Sequence, residues 1–181
     1  MIPHHAVFSL RRLAPIVFSL FLIGCGQSQG IQWEEVDRLI AGRFPDVPRI
    51  TVAELSRVLS TSRPVILLDA REPEEFAVSH LAGALRATSS AEVEIILAEA
   101  DPDALVVVYC SVGYRSAALV EALRSRGVAH IVNLQGSIFA WANEGRPVYR
   151  GDIEVSSVHP FDDSWGTLLD RSRWATEPAL P

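Results

Sequence analysis

The sequence predicts an α/β protein of three layers, α/β/α, with a central, mostly parallel five-stranded sheet. Two observations predict it. Short apolar runs at 64–68, 105–109 and 131–134 lack polar alternation, as expected of parallel strands buried on both faces. Each run leads into a segment with apolar residues at helical spacing, and strand–helix alternation builds layered sheets through right-handed crossovers. A chain of 181 residues, 49% hydrophobic, holds one ordinary domain with appendages.

Residues 1–24 read as a signal peptide. Arg11 and Arg12 precede an apolar stretch, Leu13 to Ile23, which is shorter than the about 20 residues a bilayer span needs. Leu22-Ile-Gly-Cys25 resembles a bacterial lipobox. That resemblance implies lipid on Cys25 and an exported, membrane-anchored lipoprotein of the cell envelope, periplasmic or on the outer face. Residues 25–48 form a polar tether and a short helix from Ile31 to Phe44, with Trp33, Val36, Leu39 and Ile40 on one face and Pro45 ending it.

The domain proper spans 49–148. Ile50 enters its first strand, and Thr51-Val-Ala-Glu54 is a capping box that opens a helix to Leu59. Pro64 to Leu68 is the next strand. Asp69 and Arg71 stand at its end, where the ligand-facing loops of an open α/β sheet gather, and are read as a supporting polar pair. Glu72-Pro73-Glu74-Glu75 starts a helix, with Pro in the first turn and acids near the positive helix end. His80 follows it and is read as non-catalytic, since no acid or nucleophile is set beside it. Gly83 to Arg86 is a short edge segment, and Ser90 to Ala100 is a helix. Leu105 to Tyr109 is the central strand, and Ser116 to Arg126 the helix after it, stopped by Gly127. Ile131 to Leu134 gives another strand, and Gly136 turns into a helix that ends near Gly145.

Between the central strand and its helix lies Cys110-Ser111-Val112-Gly113-Tyr114-Arg115-Ser116. A strand-to-helix turn aims backbone N–H groups and a helix N-terminus at one point. That field attracts anions and lowers a thiol pKa, so Cys110 is the candidate nucleophile. Gly113 permits a positive φ in the loop, and Arg115 supplies a fixed cation.

This loop resembles the active-site loop of the rhodanese sulfurtransferases, with Cys110 as the family's catalytic cysteine. Leu68-Asp69-Ala-Arg71-Glu72-Pro73-Glu74-Glu75-Phe76 with His80 to Ala84 is similar to the family's first motif. Val132 to Trp141 with Gly145 to Val148 is similar to its last. The resemblance covers about Ile50 to Val148 and implies a rhodanese-like sandwich. It implies transfer of a sulfane sulfur, from thiosulfate or a persulfide to a thiol or cyanide, through a Cys110 persulfide held by Ser111 to Ser116. No metal or organic cofactor is implied. Two departures are expected to matter. Ser111 stands where many members carry a second cation, which favours a persulfide donor over thiosulfate. The family's second glycine is expected at the position of Gln135, which bears on pocket shape.

Other chemistries fit less well. Phosphoryl or arsenate chemistry by Cys attack is one rival, but tyrosine-phosphatase-type loops place five residues between Cys and Arg to wrap a tetrahedral oxyanion. Here only Ser111 to Tyr114 intervene, so the cradle closes on one sulfur. A membrane-tethered binding or redox-sensing module remains as the non-catalytic alternative. The net charge of −6 shows no basic patch for nucleic acid, two cysteines make no disulfide framework, and oligomeric state stays open. Residues 149–181 form a C-terminal extension outside the resemblance. Phe161, Trp165, Leu168 and Leu169 are expected to pack back and edge the pocket, with the tail loose from Ser172.

Overall fold

The computed structural model describes residues 30–178. The signal-peptide and Cys25 readings lie outside that range. Helix α1 (Trp33–Arg43) leads to strand β1 (Arg49–Ile50) and helix α2 (Val52–Leu59). Then come β2 (Val65–Asp69), α3 (Pro73–Val78), β3 (Leu85–Arg86), α4 (Ser90–Ala98), β4 (Leu105–Tyr109), α5 (Tyr114–Ser125), β5 (Ile131–Leu134) and α6 (Ser137–Asn143). A hairpin, β6 (Val148–Arg150) and β7 (Ile153–Val155), and two 3-10 turns, Trp165–Leu168 and Arg171–Arg173, complete the described chain.

The main sheet has the order β1-β5-β4-β2-β3, and every pairing in it is parallel. Strand β4 is central and every one of its residues is buried, as its unbroken apolar run requires. Helices α1 and α4 pack on α5, while α2 packs on α6. The predicted capping box forms: Glu54 N donates to Thr51 Oγ1 at 3.2 Å, and Thr51 N to Glu54 Oε2 at 2.9 Å. No helix among the described residues is long and apolar enough to cross a membrane.

Three local expectations need correction. The apolar stripe of α1 runs through Trp33, Val36 and Ile40, and Leu39 falls at its edge, exposed to solvent. Helix α5 begins at Tyr114, two residues early, so Tyr114 and Arg115 belong to its first turn. The extension does not loosen at Ser172. Val158 and Trp174 form a parallel bridge, and the Trp174 ring lies over Arg171, 3.7 Å from Cζ to the centroid. The extension is also joined to the domain. His80 and Tyr149 exchange both backbone hydrogen bonds, Ser79 Oγ donates to Ser157 O at 2.6 Å, and Val158, Leu168 and Leu169 are buried in the core.

Candidate active site

Parallel register brings the ends of three strands together. Asp69 is level with Tyr109, and Val108 with Asn133, so the residues that follow β2, β4 and β5 emerge at one edge of the sheet. The Cys110 loop is the middle one. Gly113 caps α5 with φ +111°, a conformation that glycine adopts without strain, and the turn folds back on itself. Gly113 N donates to Cys110 Sγ at 3.2 Å, and the Ser116 hydroxyl reaches the same sulfur at 3.5 Å.

The backbone of the loop is held from behind by α6. Cys110 N donates to Ser137 Oγ at 3.1 Å, Ile138 N donates to Cys110 O, and Phe139 N to Ser111 O. Asn133, buried in β5, donates from Nδ2 to Gly113 O at 3.0 Å. Gly136 and Ser137 both have positive φ, +69° and +52°, and Gln135 does not. The position that would favour a second glycine is therefore Ser137, not Gln135. Serine tolerates it because its hydroxyl ties two backbones together, accepting from Cys110 N and donating to Leu134 O at 3.1 Å. Gln135 instead donates from Nε2 to Asp37 of α1 at 3.2 Å.

Arg115 leaves the first turn of α5 and meets Glu75 of α3 in a fork of two bonds, 2.7 and 2.8 Å. Ser111 Oγ donates to Glu75 Oε1 at 2.8 Å, and Arg115 Nη2 donates to Ser111 Oγ at 2.9 Å. Burial pushes the Glu75 carboxyl up, but the bonds and charge of Arg115 outweigh it and hold the group below the ordinary carboxylate range. Burial likewise pushes the Cys110 thiol up. The charge of Arg115 and the hydrogen bonds from Ser116 and Gly113 reverse that, and the thiol lies below its ordinary value.

Asp69 and Arg71 form a separate, fully buried pair. Arg71 donates to both Asp69 oxygens and, at 2.6 Å, to Ser79 O. The hydrogen bonds to the Cys110 sulfur come from Gly113 and Ser116, not from this pair. His80 stacks on Phe76 at 4.2 Å. Its Nδ1 lies 3.0 Å from Leu81 O, and its Nε2 accepts from Gly151 N at 3.2 Å. Both ring nitrogens are thus spent on backbone.

Above Cys110 lies a pocket of 190 Å³. Val112 and Tyr114 form its domain side, and Phe161 and Trp165 of the extension form the other. The Phe161 ring covers the Arg115 guanidinium, 4.8 Å from Cζ to the centroid. The larger concavity of 840 Å³, around Asn143, Asp170 and Trp174, does not include Cys110. Sequence reasoning singled out Cys110, Gly113, Arg115 and Ser116, and the structure sets them around one turn, with Arg115 and Ser116 in the first turn of α5. It missed Asn133, Ser137 and the pairing role of Glu75. A polar side chain inside a buried strand, as at Asn133, is the one local signal that something there needs a partner.

A family model for the rhodanese-like domain matches residues 51–144, a span that includes Asp69, Cys110 and Gly136. A sulfurtransferase of Allochromatium vinosum is 34% identical over 102 residues, which is 56% of this chain and 94% of that protein. The probable adenylyltransferase/sulfurtransferase MoeZ of Mycobacterium tuberculosis is 37% identical over 99 residues, 54% of this chain, and this chain spans only 25% of its length. Among solved structures, the thiosulfate sulfurtransferase from Pseudomonas aeruginosa aligns with a TM-score of 0.57 at 18% identity, over 74% of this chain and 26% of that one, a likeness of fold alone. With its fold, its loop and these relatives in agreement, the chain belongs to the rhodanese-like domain family.

Proposed function

We propose that this protein is a sulfurtransferase that carries a sulfane sulfur on Cys110. The observation that carries the reading is the Cys110 thiol held below its ordinary value inside a turn that donates to its sulfur from Gly113 and Ser116. The thiolate attacks the outer sulfur of a donor R–S–SH. A new S–S bond forms to Cys110, the donor's S–S bond breaks, and R–S⁻ leaves with the electron pair. With thiosulfate the leaving group is sulfite. The Cys110 persulfide is held by the N–H groups of the turn over residues 111–116 and by the positive end of α5, whose first-turn N–H groups have no acceptor within the helix. A thiolate or cyanide then attacks the outer sulfur, forming a new persulfide or thiocyanate and returning Cys110 as thiolate. Arg115 stabilises the anionic sulfur, and Asp69 and Arg71 hold the end of β2 beside it.

Intact-mass analysis of the full-length chain after incubation with each donor tests this. The expected result is a gain of about 32 Da, one sulfur atom, that is absent in Cys110→Ala and discharged by cyanide. A folded protein with a free thiol and no adduct from any donor would sink the proposal and favour a binding or redox-sensing module. We also propose that Cys25 carries lipid and tethers the domain to a membrane of the cell envelope. Retention of a metabolic fatty-acid label by Cys25→Ala would refute that.

A further inference from the structure

We propose that Phe161 and Trp165 make the pocket over Cys110 selective for sulfur donors that carry an apolar, aromatic-sized group and at most one negative charge. This rests on the sulfurtransferase reading and narrows its substrate class. Three observations carry it.

The first is shape. The pocket holds 190 Å³, and a cavity of about 150 Å³ with apolar walls accepts a benzene ring. Two aromatic side chains line it, and ring-on-ring contact favours an aromatic guest.

The second is charge. Once the thiol ionises, the site holds two negative groups, Cys110 and Glu75, against one cation, Arg115. The guanidinium is already forked onto Glu75, and the Phe161 ring covers it. Residues 111–114 add no charge, and the Ser111 hydroxyl is spent on Glu75. A small dianion meets net repulsion with no free cation edge, whereas a neutral or singly charged donor does not.

The third is how the aromatic wall is built. Phe161 is 43% exposed, so core burial does not account for its position. Its backbone lies at φ +69°, a conformation a bulky residue adopts only when its surroundings impose it. Those surroundings are visible. Phe161 N donates to His159 Nδ1 at 3.0 Å, and Asp162 Oδ1 accepts from both Ser164 N and Trp165 N at 2.8 Å. Gly166 seats the turn against the Trp174 ring, where a Cβ would come within 2.5 Å. The wall is pre-organised before any donor arrives.

The test compares benzenethiosulfonate with thiosulfate in the full-length chain, with cyanide as acceptor and thiocyanate as the product counted. Attack on the outer sulfur of either breaks its S–S bond and releases benzenesulfinate or sulfite with the electron pair. The leaving groups differ in reactivity, so the deciding quantity is the ratio of the two kcat/KM values. It is expected to fall about tenfold in Phe161→Gly and in Trp165→Ala. Phe161→Gly removes the ring while suiting the left-handed backbone, so the turn is retained. An unreactive pair gives a second readout: benzenesulfonate is expected to inhibit wild type about tenfold more strongly than methanesulfonate, and Phe161→Gly to lose that difference. An unchanged ratio in both variants, or equal inhibition by the two sulfonates in wild type, overturns the selectivity while leaving sulfur transfer intact. No thiocyanate from either donor overturns the selectivity, and none from glutathione persulfide as well overturns sulfur transfer with it.

Discussion

Two carboxylate–guanidinium pairs flank the end of β2, and they differ in where water reaches. Asp69–Arg71 has no exposed side-chain surface on either partner. Glu75–Arg115 buries its acid but leaves the Arg115 side chain 30% exposed. In the first pair burial lowers the Arg71 pKa, the charge and hydrogen bonds of Asp69 more than reverse it, and the guanidinium spends itself on Asp69 and Ser79 O. In the second, Arg115 is also raised, because its bonds to Glu75 and the charge of Cys110 outweigh its partial burial. The same two side-chain types therefore serve opposite ends. A sealed pair fixes backbone, because neither charge can be left without the other. A half-open pair leaves the charge of its cation acting on a neighbouring group, here the Cys110 sulfur.

The sharpest way to break this comparison is to remove one partner from each pair. Arg71→Met strands Asp69 away from water, and urea unfolding is expected to show a loss of about 3–5 kcal/mol. Equal losses from Arg71→Met and Arg115→Gln would erase the distinction. Arg115→Gln is expected to act mainly on the thiol. Its charge is the largest of the causes that together outweigh burial at Cys110, so the pH midpoint of alkylation by iodoacetamide should rise and the rate at neutral pH fall about tenfold.

Acid titration sharpens the half-open pair further. The folded Glu75 carboxyl lies below its unfolded value, so the folded state binds fewer protons as pH falls. Its stabilisation is complete above the unfolded carboxylate value of about 4.3 and is lost as pH falls through the lower folded value. The stability difference between wild type and Glu75→Gln should therefore shrink over that acid window and stay level near neutrality. A neutral contact gives the smallest effect. Ser137→Ala removes the acceptor for Cys110 N, and a loss of about 1 kcal/mol is expected by the same unfolding assay. A much larger loss would mean that the loop depends on this hydroxyl as heavily as on its charges.

Much of the molecule was legible in the chain because its causes are local. An unbroken run of β-branched residues announced β4, the Thr51–Glu54 box announced α2, and Gly113 marked the turn under Cys110. Those signals act over a few residues, through backbone sterics, capping and side-chain periodicity, and so did the motif spacing that singled out Cys110 and Arg115. The misplaced glycine shows the limit of such reading. The positive φ falls at Ser137, and only the return of α6 against the Cys110 loop explains why a serine is held there.

What the sequence by itself determined is the layered α/β architecture and the strand-to-helix turn that holds Cys110. The tertiary structure alone decided which acid Arg115 meets, which hydroxyl holds the Cys110 backbone and which rings close the pocket. Glu75 reaches Arg115 across 40 positions, and Ser137 reaches Cys110 across 27. Phe161 covers Arg115 from beyond the family's own span. Contacts at such separations depend on how parallel strands stack their ends and on where the extension docks. No local propensity encodes them, because their energy appears only once the chain entropy of closing those loops has been overcome.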